Sequence, residues 1–167
     1  NIKHKLFNNF DFKSIINNPE FKEDSVREII ILPILRELGY KQTDILRSKT
    51  LHHPYLKIGS KKRPINLIPD YVLKVEDRFA WVLDAKSPEQ KIIDSDNVEQ
   101  VYSYATHPEI RSTYFALCNG LEFAIYRTDS TNIPILFFNI DEIDNHWKNL
   151  FKLLSPNHFQ SGKKITY

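Results

Sequence analysis

At 167 residues with 41% apolar and 13% aromatic content, the chain can bury one real core and has no room for two, so a single domain over 1–167 is expected. A formal charge of +2 is too mild to announce a nucleic-acid binder, and any such site must come from local clustering. One cysteine, Cys118, excludes an internal disulfide and a multi-cysteine zinc site, and no apolar run approaches the roughly 20 residues that a membrane span needs. With no signal-peptide pattern either, a soluble cytoplasmic protein is expected. The absence of methionine suggests that residue 1 is not a natural start and that the chain is a piece of something longer.

The first element is a helix. Asn18-Pro19 offers a cap and a first-turn proline, and Val26, Ile29, Ile30, Ile34, Leu35 and Leu38 recur at helical spacing until Gly39 stops the run. Pro33 inside this pattern predicts a kink or a break. Glu23 lies near the N-terminal end, able to reach a metal held elsewhere, with Glu28 as the fallback; either is equally an exposed acid favoured by the helix dipole. Next come Lys57, Lys61, Lys62 and Arg63, the densest basic cluster, which reads either as a DNA-binding patch or as a solvated loop.

Ile68 to Val75 and Phe79 to Lys86 are rich in strand formers and are separated by Glu76-Asp77-Arg78, so they read as an antiparallel hairpin. An odd three-residue loop sets Val75 opposite Phe79 and Asp70 opposite Asp84; an even loop sends the two acids to opposite faces. Opposed carboxylates about 5 Å apart repel by roughly 3 kcal/mol at an effective dielectric of about 20, and a divalent cation between them reverses the sign. Side chains alternate along a strand, so Asp84 and Lys86 share a face while Ala85 turns into packing. Asp and Lys at the wet end of a strand form a plain surface pair just as readily.

Asp96-Asn97-Val98-Glu99 reads as a capping box opening a second helix, with Val98, Val101, Tyr102 and Ala105 as its buried stripe. Gln100 and Tyr104, one turn apart, are neighbours on its surface. Thr113 to Leu117 and Leu121 to Arg127 form a hairpin around Asn119-Gly120. Ile133 to Ile140 is a further strand with Pro134 near its start, which suggests an edge. A helix from about Asp141 to Leu154 follows, with Trp147, Leu150, Phe151 and Leu154 on one face. Helix, three strands, helix and further strands make an α/β fold, a mixed sheet flanked by helices. Four glycines argue against a phosphate-loop motor, the adjacent His52-His53 suit joint metal ligation badly, and no nucleophile elbow is present.

Asp70 after Pro69, followed by Asp84-Ala85-Lys86, resembles the signature of the PD-(D/E)XK nucleases. More narrowly, from about Phe21 to Thr128 the chain resembles the N-terminal endonuclease domain of type I restriction enzyme R subunits. Val26-Arg27-Glu28 through Leu32-Pro33-Ile34-Leu35 to Leu38-Gly39-Tyr40 resembles the family's first helix, with Glu23 at its helix glutamate. Gln100-Val101-Tyr102-Ser103-Tyr104 resembles its Gln-x-x-x-Tyr element, and Cys118-Asn119-Gly120 its Thr-Asn-Gly turn, with cysteine in place of threonine. Asp84 stands where many members carry Glu, an allowed variant.

The resemblance implies a restriction-endonuclease-like α-β-β-β-α-β core, extended by the strand and helix at 133–154. It implies Mg²⁺-dependent cleavage of DNA, with Mn²⁺ able to substitute. Asp70, Asp84, the Ala85 carbonyl and Glu23 would hold metal, with Lys86, Gln100 and Tyr104 completing the catalytic set. Recognition, methylation and translocation would belong to partner subunits of a restriction complex. The alternatives are a non-cleaving nucleic-acid-binding or assembly module with the nuclease fold, and a regulatory domain of a defence complex that never touches DNA.

Overall fold

The computed structural model describes residues 6–58 and 61–160, with side chains described except at 53–66. The strands are β1 (Ile45–Arg47), β2 (Leu51–Ile58), β3 (Lys61–Leu67), β4 (Tyr71–Val75), β5 (Arg78–Ala85), β6 (Tyr114–Cys118), β7 (Glu122–Arg127) and β8 (Leu136–Asn139). Six of them make one sheet in the order β1-β4-β5-β6-β7-β8, while β2 and β3 form a separate two-stranded hairpin. Within the six-stranded sheet only β5 and β6 run parallel. A parallel pair cannot be joined by a tight turn. The chain instead leaves the end of β5, forms a helix at Asp96–Ala105, and returns to start β6 at Tyr114.

The first helical region is built from α1 (Phe12–Asn17), then α2 (Glu23–Ser25), a wide π turn (Val26–Ile31) and α3 (Leu32–Leu38) in direct succession. Asn18-Pro19 does not open this helix. The Asn18 side-chain oxygen accepts from the Glu20 N–H at 3.0 Å, which folds a local turn, and the helix begins at Glu23. Pro33 neither breaks nor ends the run. It has no N–H to bond, and the helix widens just before it, with the Leu32 N–H bonding to the Arg27 carbonyl five residues back. That extra residue rotates the apolar stripe, so Ile31 is buried and Ile29, expected in the core, is 43% exposed. Gly39 ends α3 at φ 112°, a conformation that favours glycine.

Two cores form on the two sheet faces. One packs Trp81, Leu83, Ala85 and Phe123 against the π turn, α3 and the C-terminal helix α5 (Ile143–Leu154). The other packs Val72, Val82, Phe115 and Leu117 against α4 (Asp96–Ala105). Alternation along β5 therefore assigns Ala85 to the first core and leaves Asp84 and Lys86 on the α4 side. Three expectations are corrected. The cap of α4 is Ser95, with no side-chain bond to the helix, so the Asp96 capping box does not form. Tyr104, at 5% exposure, replaces Tyr102, at 38%, in the buried stripe. In α5 the buried face is Ile143, Trp147, Leu150 and Leu154, and Phe151 is largely exposed because a 3-10 turn at Ile140–Glu142 sets the helix phase.

Strand β8 lies at the sheet edge, as Pro134 suggested, but starts at Leu136 rather than Ile133. Asn119-Gly120 does make the β6–β7 turn, with the Asn119 side-chain oxygen accepting from the Leu121 and Glu122 N–H groups at 3.0 and 2.8 Å. Cys118, fully buried, is the last residue of β6. No helix among the described residues is long and apolar enough to cross a membrane.

One buried polar node ties three elements together. The Tyr40 hydroxyl donates to the Leu154 carbonyl at 2.7 Å and accepts from the Trp81 indole N–H at 2.9 Å. Tyr40→Phe leaves both partners buried without a bond, each loss costing about 1–3 kcal/mol. We expect a loss of about 2 kcal/mol or more in urea unfolding at unchanged m-value; a change below about 0.5 kcal/mol would show that the node contributes little.

Candidate active site

Asp70 and Asp84 do face each other, but the expected three-residue loop is not what brings them together. Val75 pairs with Arg78, so the loop is the two-residue Glu76-Asp77, with φ at 52° and 60°. Such a loop alone would separate the acids onto opposite faces. The pairing slips by one between Leu73 and Lys74: Lys74 opposes Phe79, yet Leu73 opposes Trp81, which leaves Ala80 as the extra residue of a β-bulge. From there Val72 meets Val82 and Tyr71 meets Leu83. Asp70 and Asp84 are the next pair along.

At this end of the hairpin each acid caps the other strand. The Asp70 N–H donates to Asp84 Oδ1 at 2.8 Å, and the Ala85 N–H donates to Asp70 Oδ2 at 2.8 Å. The flanking backbone is pinned as well, Ser48 N–H to the Asp70 carbonyl and Lys86 N–H to the Cys118 carbonyl, both at 2.9 Å. One oxygen of each carboxylate then remains outside these bonds. Asp84 Oδ2 lies 3.5 Å from Lys86 Nζ, and Asp70 Oδ1 lies 3.9 Å from Arg27 Nη1. Lys86 Nζ donates to Gln100 Oε1 at 2.7 Å, and Tyr104 hydrogen-bonds Gln100 from one turn further along α4. Asp84 and Lys86 are only 4% and 8% exposed, so they are not a solvated surface pair.

Charge is crowded here. Burial, and then the neighbouring Asp70 charge, push the Asp84 carboxyl up to about 7; the Asp70 N–H and Lys86 oppose this without cancelling it. Asp70 is raised too, chiefly by burial, against the pull of the Ala85 N–H and Arg27. Burial and the charges of Asp84 and Asp70 push the Tyr104 phenol up to about 12. Burial thus makes a second negative charge costly at this pair, even with Lys86 and Arg27 beside it.

Glu23 lies within the field of Asp70 and Lys86, and burial followed by Asp70 raises its carboxyl. Its direct partner is Arg27, at 3.4 Å. Among the described residues no three His, Cys, Asp or Glu groups form a ready-made metal cluster. Glu28 lines a cavity of about 170 Å³ beside Asp70, together with Arg27, Arg47 and Tyr71. Lys57, Lys61, Lys62 and Arg63 fall on the β2–β3 hairpin, where Lys57 opposes Lys62, but their side chains lie outside the described residues.

Arg27 is the site residue that sequence reasoning did not single out. It bridges Asp24 at 2.9 Å, Glu23 and Asp70, and its Nε is buried without a hydrogen bond. Its position one turn after Glu23 was the available signal.

An all-oxygen set suits a hard cation such as Mg²⁺, which typically takes one or two protein carboxylates and fills its remaining positions with water and phosphate oxygens. Asp70, Asp84 and the Ala85 carbonyl would fit that pattern, since the two carboxylates meet at one strand end. No protein-family model, no curated protein and no solved structure matches the chain.

Proposed function

We propose that the chain is a Mg²⁺-dependent endonuclease domain that hydrolyses DNA phosphodiesters, with the restriction-endonuclease-like core of the PD-(D/E)XK nucleases. The observation that carries this reading is the reciprocal capping of Asp70 and Asp84, which leaves one carboxylate oxygen of each outside these bonds, that of Asp84 beside Lys86 and that of Asp70 beside Arg27. The element order supports it as well: helix, β1, β4, β5, crossover helix α4 and parallel β6 follow the α-β-β-β-α-β sequence, with β2–β3 as an insertion.

Asp70, Asp84 and the Ala85 carbonyl would hold the cation, which when bound polarises a phosphate and makes water a stronger nucleophile near neutral pH. Lys86, fixed by Gln100 and within 3.5 Å of Asp84, is placed to hydrogen-bond the attacking water and offset charge developing on phosphorus oxygens. Gln100 and Tyr104 act by positioning: they hold the Lys86 amine in one place. Arg27 and Arg47 beside Asp70 offer guanidinium groups to a neighbouring phosphate of the same strand. Partner subunits of a cytoplasmic type I restriction complex, or a related defence complex, would supply recognition, methylation and translocation.

Plasmid DNA incubated with the chain tests this. Nicking that requires Mg²⁺ or Mn²⁺ and stops in EDTA is expected; DNA binding that persists in EDTA, with no metal-dependent product, would favour the non-cleaving module instead.

A further inference from the structure

Strands β5 and β6 are parallel, so the end of β5 that carries Asp84 lies beside the end of β6, and their N-terminal ends lie together at the other side of the sheet. Six residues separate Arg78 from Asp84, about 20 Å along the strand. At this far end the chain forms a cavity of about 410 Å³, more than twice the one beside Asp70. Its wall contains Arg78, Arg111, Thr113, Tyr114, His158 and Phe159, and no Asp or Glu.

Basic and aromatic groups alternate around it. Among the described residues Arg78 pairs with the exposed Glu76, at 3.4 Å, a contact of small net value in water. Arg111, in the turn after α4, makes no ion pair among the described residues. Its backbone sits at φ 51°, a left-handed conformation disfavoured for a side-chain-bearing residue. Two further cations lie against rings of the wall: Lys49 Nζ is 5.3 Å from the Phe79 ring centroid, and Arg127 is 5.9 Å from that of Tyr114. Phe159 meets Tyr114 edge to face at 6.1 Å, and both rings line the cavity wall together with Arg78 and Arg111.

We propose that this cavity binds a nucleoside phosphate, independently of the acid site. Arg78 and Arg111 hold the phosphate through charge-assisted, forked hydrogen bonds. The rings of Tyr114 and Phe159, which pack on the same side of the sheet, take the base, whose flat face suits aromatic stacking whatever its identity. A small inorganic anion would use the guanidinium groups and leave the rings idle, and a neutral nucleoside would do the reverse, so the two contacts reinforce each other only in a nucleoside phosphate. The source is either a free nucleotide or the terminal nucleotide of a DNA strand.

Calorimetric titration of AMP into the full chain, in EDTA, tests this, with adenosine and inorganic phosphate titrated in parallel. AMP is expected to bind at least tenfold more tightly than either fragment. Arg111→Ala and Arg78→Ala, both on exposed side chains, should each weaken it about tenfold or more, and Asp70→Ala should leave it unchanged. Competition by a 5′-phosphorylated oligonucleotide, but not by its unphosphorylated form, assigns the cavity to strand ends; no competition by either assigns it to free nucleotides. Absence of AMP binding at millimolar concentration, equal affinity for inorganic phosphate, indifference to Arg111→Ala, or loss in Asp70→Ala would each overturn the proposal. The last outcome would place AMP at the acid site.

Discussion

Asp84→Ala and Lys86→Ala are each expected to lower Mg²⁺-dependent DNA cleavage by about 10²–10³-fold or more while the chain stays folded. The two variants fail for different reasons. Removing Asp84 takes away one of the two strand carboxylates and half of the reciprocal capping, since the Asp70 N–H loses its acceptor at Oδ1. Removing Lys86 leaves both carboxylates in place and deletes the amine within 3.5 Å of Asp84. Loss of one preorganised group that stabilises transition-state charge costs about 10²–10³ in rate. Metal affinity separates the two: it should collapse in Asp84→Ala and survive in Lys86→Ala. Neither change opens an apolar core, so both variants should stay folded, with melting temperatures shifted by the loss of one member of a buried pair. Wild-type cutting by purified Asp84→Ala protein would remove the assignment.

The second large effect is on pH. With the Asp84 carboxyl pushed up to about 7 by burial and by Asp70, a divalent ion must displace a proton below that pH. Apparent Mg²⁺ affinity should rise about tenfold per pH unit below 7 and flatten above it. Stability without metal moves the other way. A carboxyl raised from 3.8 to about 7 binds protons more tightly in the folded state than in the unfolded one. Its stabilising contribution is therefore complete below about pH 4 and is lost as pH rises through 7. Asp84→Asn keeps a side-chain oxygen for the Asp70 N–H and removes the buried charge, so it should be more stable than wild type at pH 8.5, with the difference shrinking to nothing near pH 4. The gain should reach a few kcal/mol at most, since Lys86 loses a partner. Melting curves of the two chains across that range check the sign, and a variant less stable at pH 8.5 than at pH 4 relative to wild type would reverse the reading.

The sequence pointed to the grouping of Asp70, Asp84, Lys86 and Gln100 more clearly than to the local geometry that achieves it. Asp70 and Asp84 stood out because each falls among strand-forming residues where apolar side chains should continue, and a carboxylate at such a position is costly unless something holds it. The facing of the two acids was reached through a loop that does not exist. Glu76-Asp77 lacks the Asn-Gly or Asp-Gly pattern that marks a two-residue turn, and nothing in Phe79-Ala80-Trp81 announces a bulge; two one-residue differences cancel. Tyr102 and Tyr104 illustrate a different limit. Both are aromatic residues near the buried stripe of α4, and only the angle at which the helix meets the sheet decides that Tyr104 turns in toward Gln100 while Tyr102 stays at the surface. Hairpin β2–β3 was hidden by Pro54 and Pro64, which argue against strand interiors, and by a basic cluster that reads as a loop. Arg27 escaped notice because a guanidinium one turn after a glutamate is ordinary on a helix surface; its contact with Asp70 comes from the packing of that helix beside β4.

Calorimetric titration of Mn²⁺ into wild type and into Asp70→Ala, run beside plasmid nicking on the same samples, tests the metal-nuclease claim most directly. The account predicts that wild type binds the ion and nicks DNA, and that both are lost together in Asp70→Ala. Wild-type protein that takes up no Mn²⁺ at pH 8, with DNA present as well as absent, would contradict it.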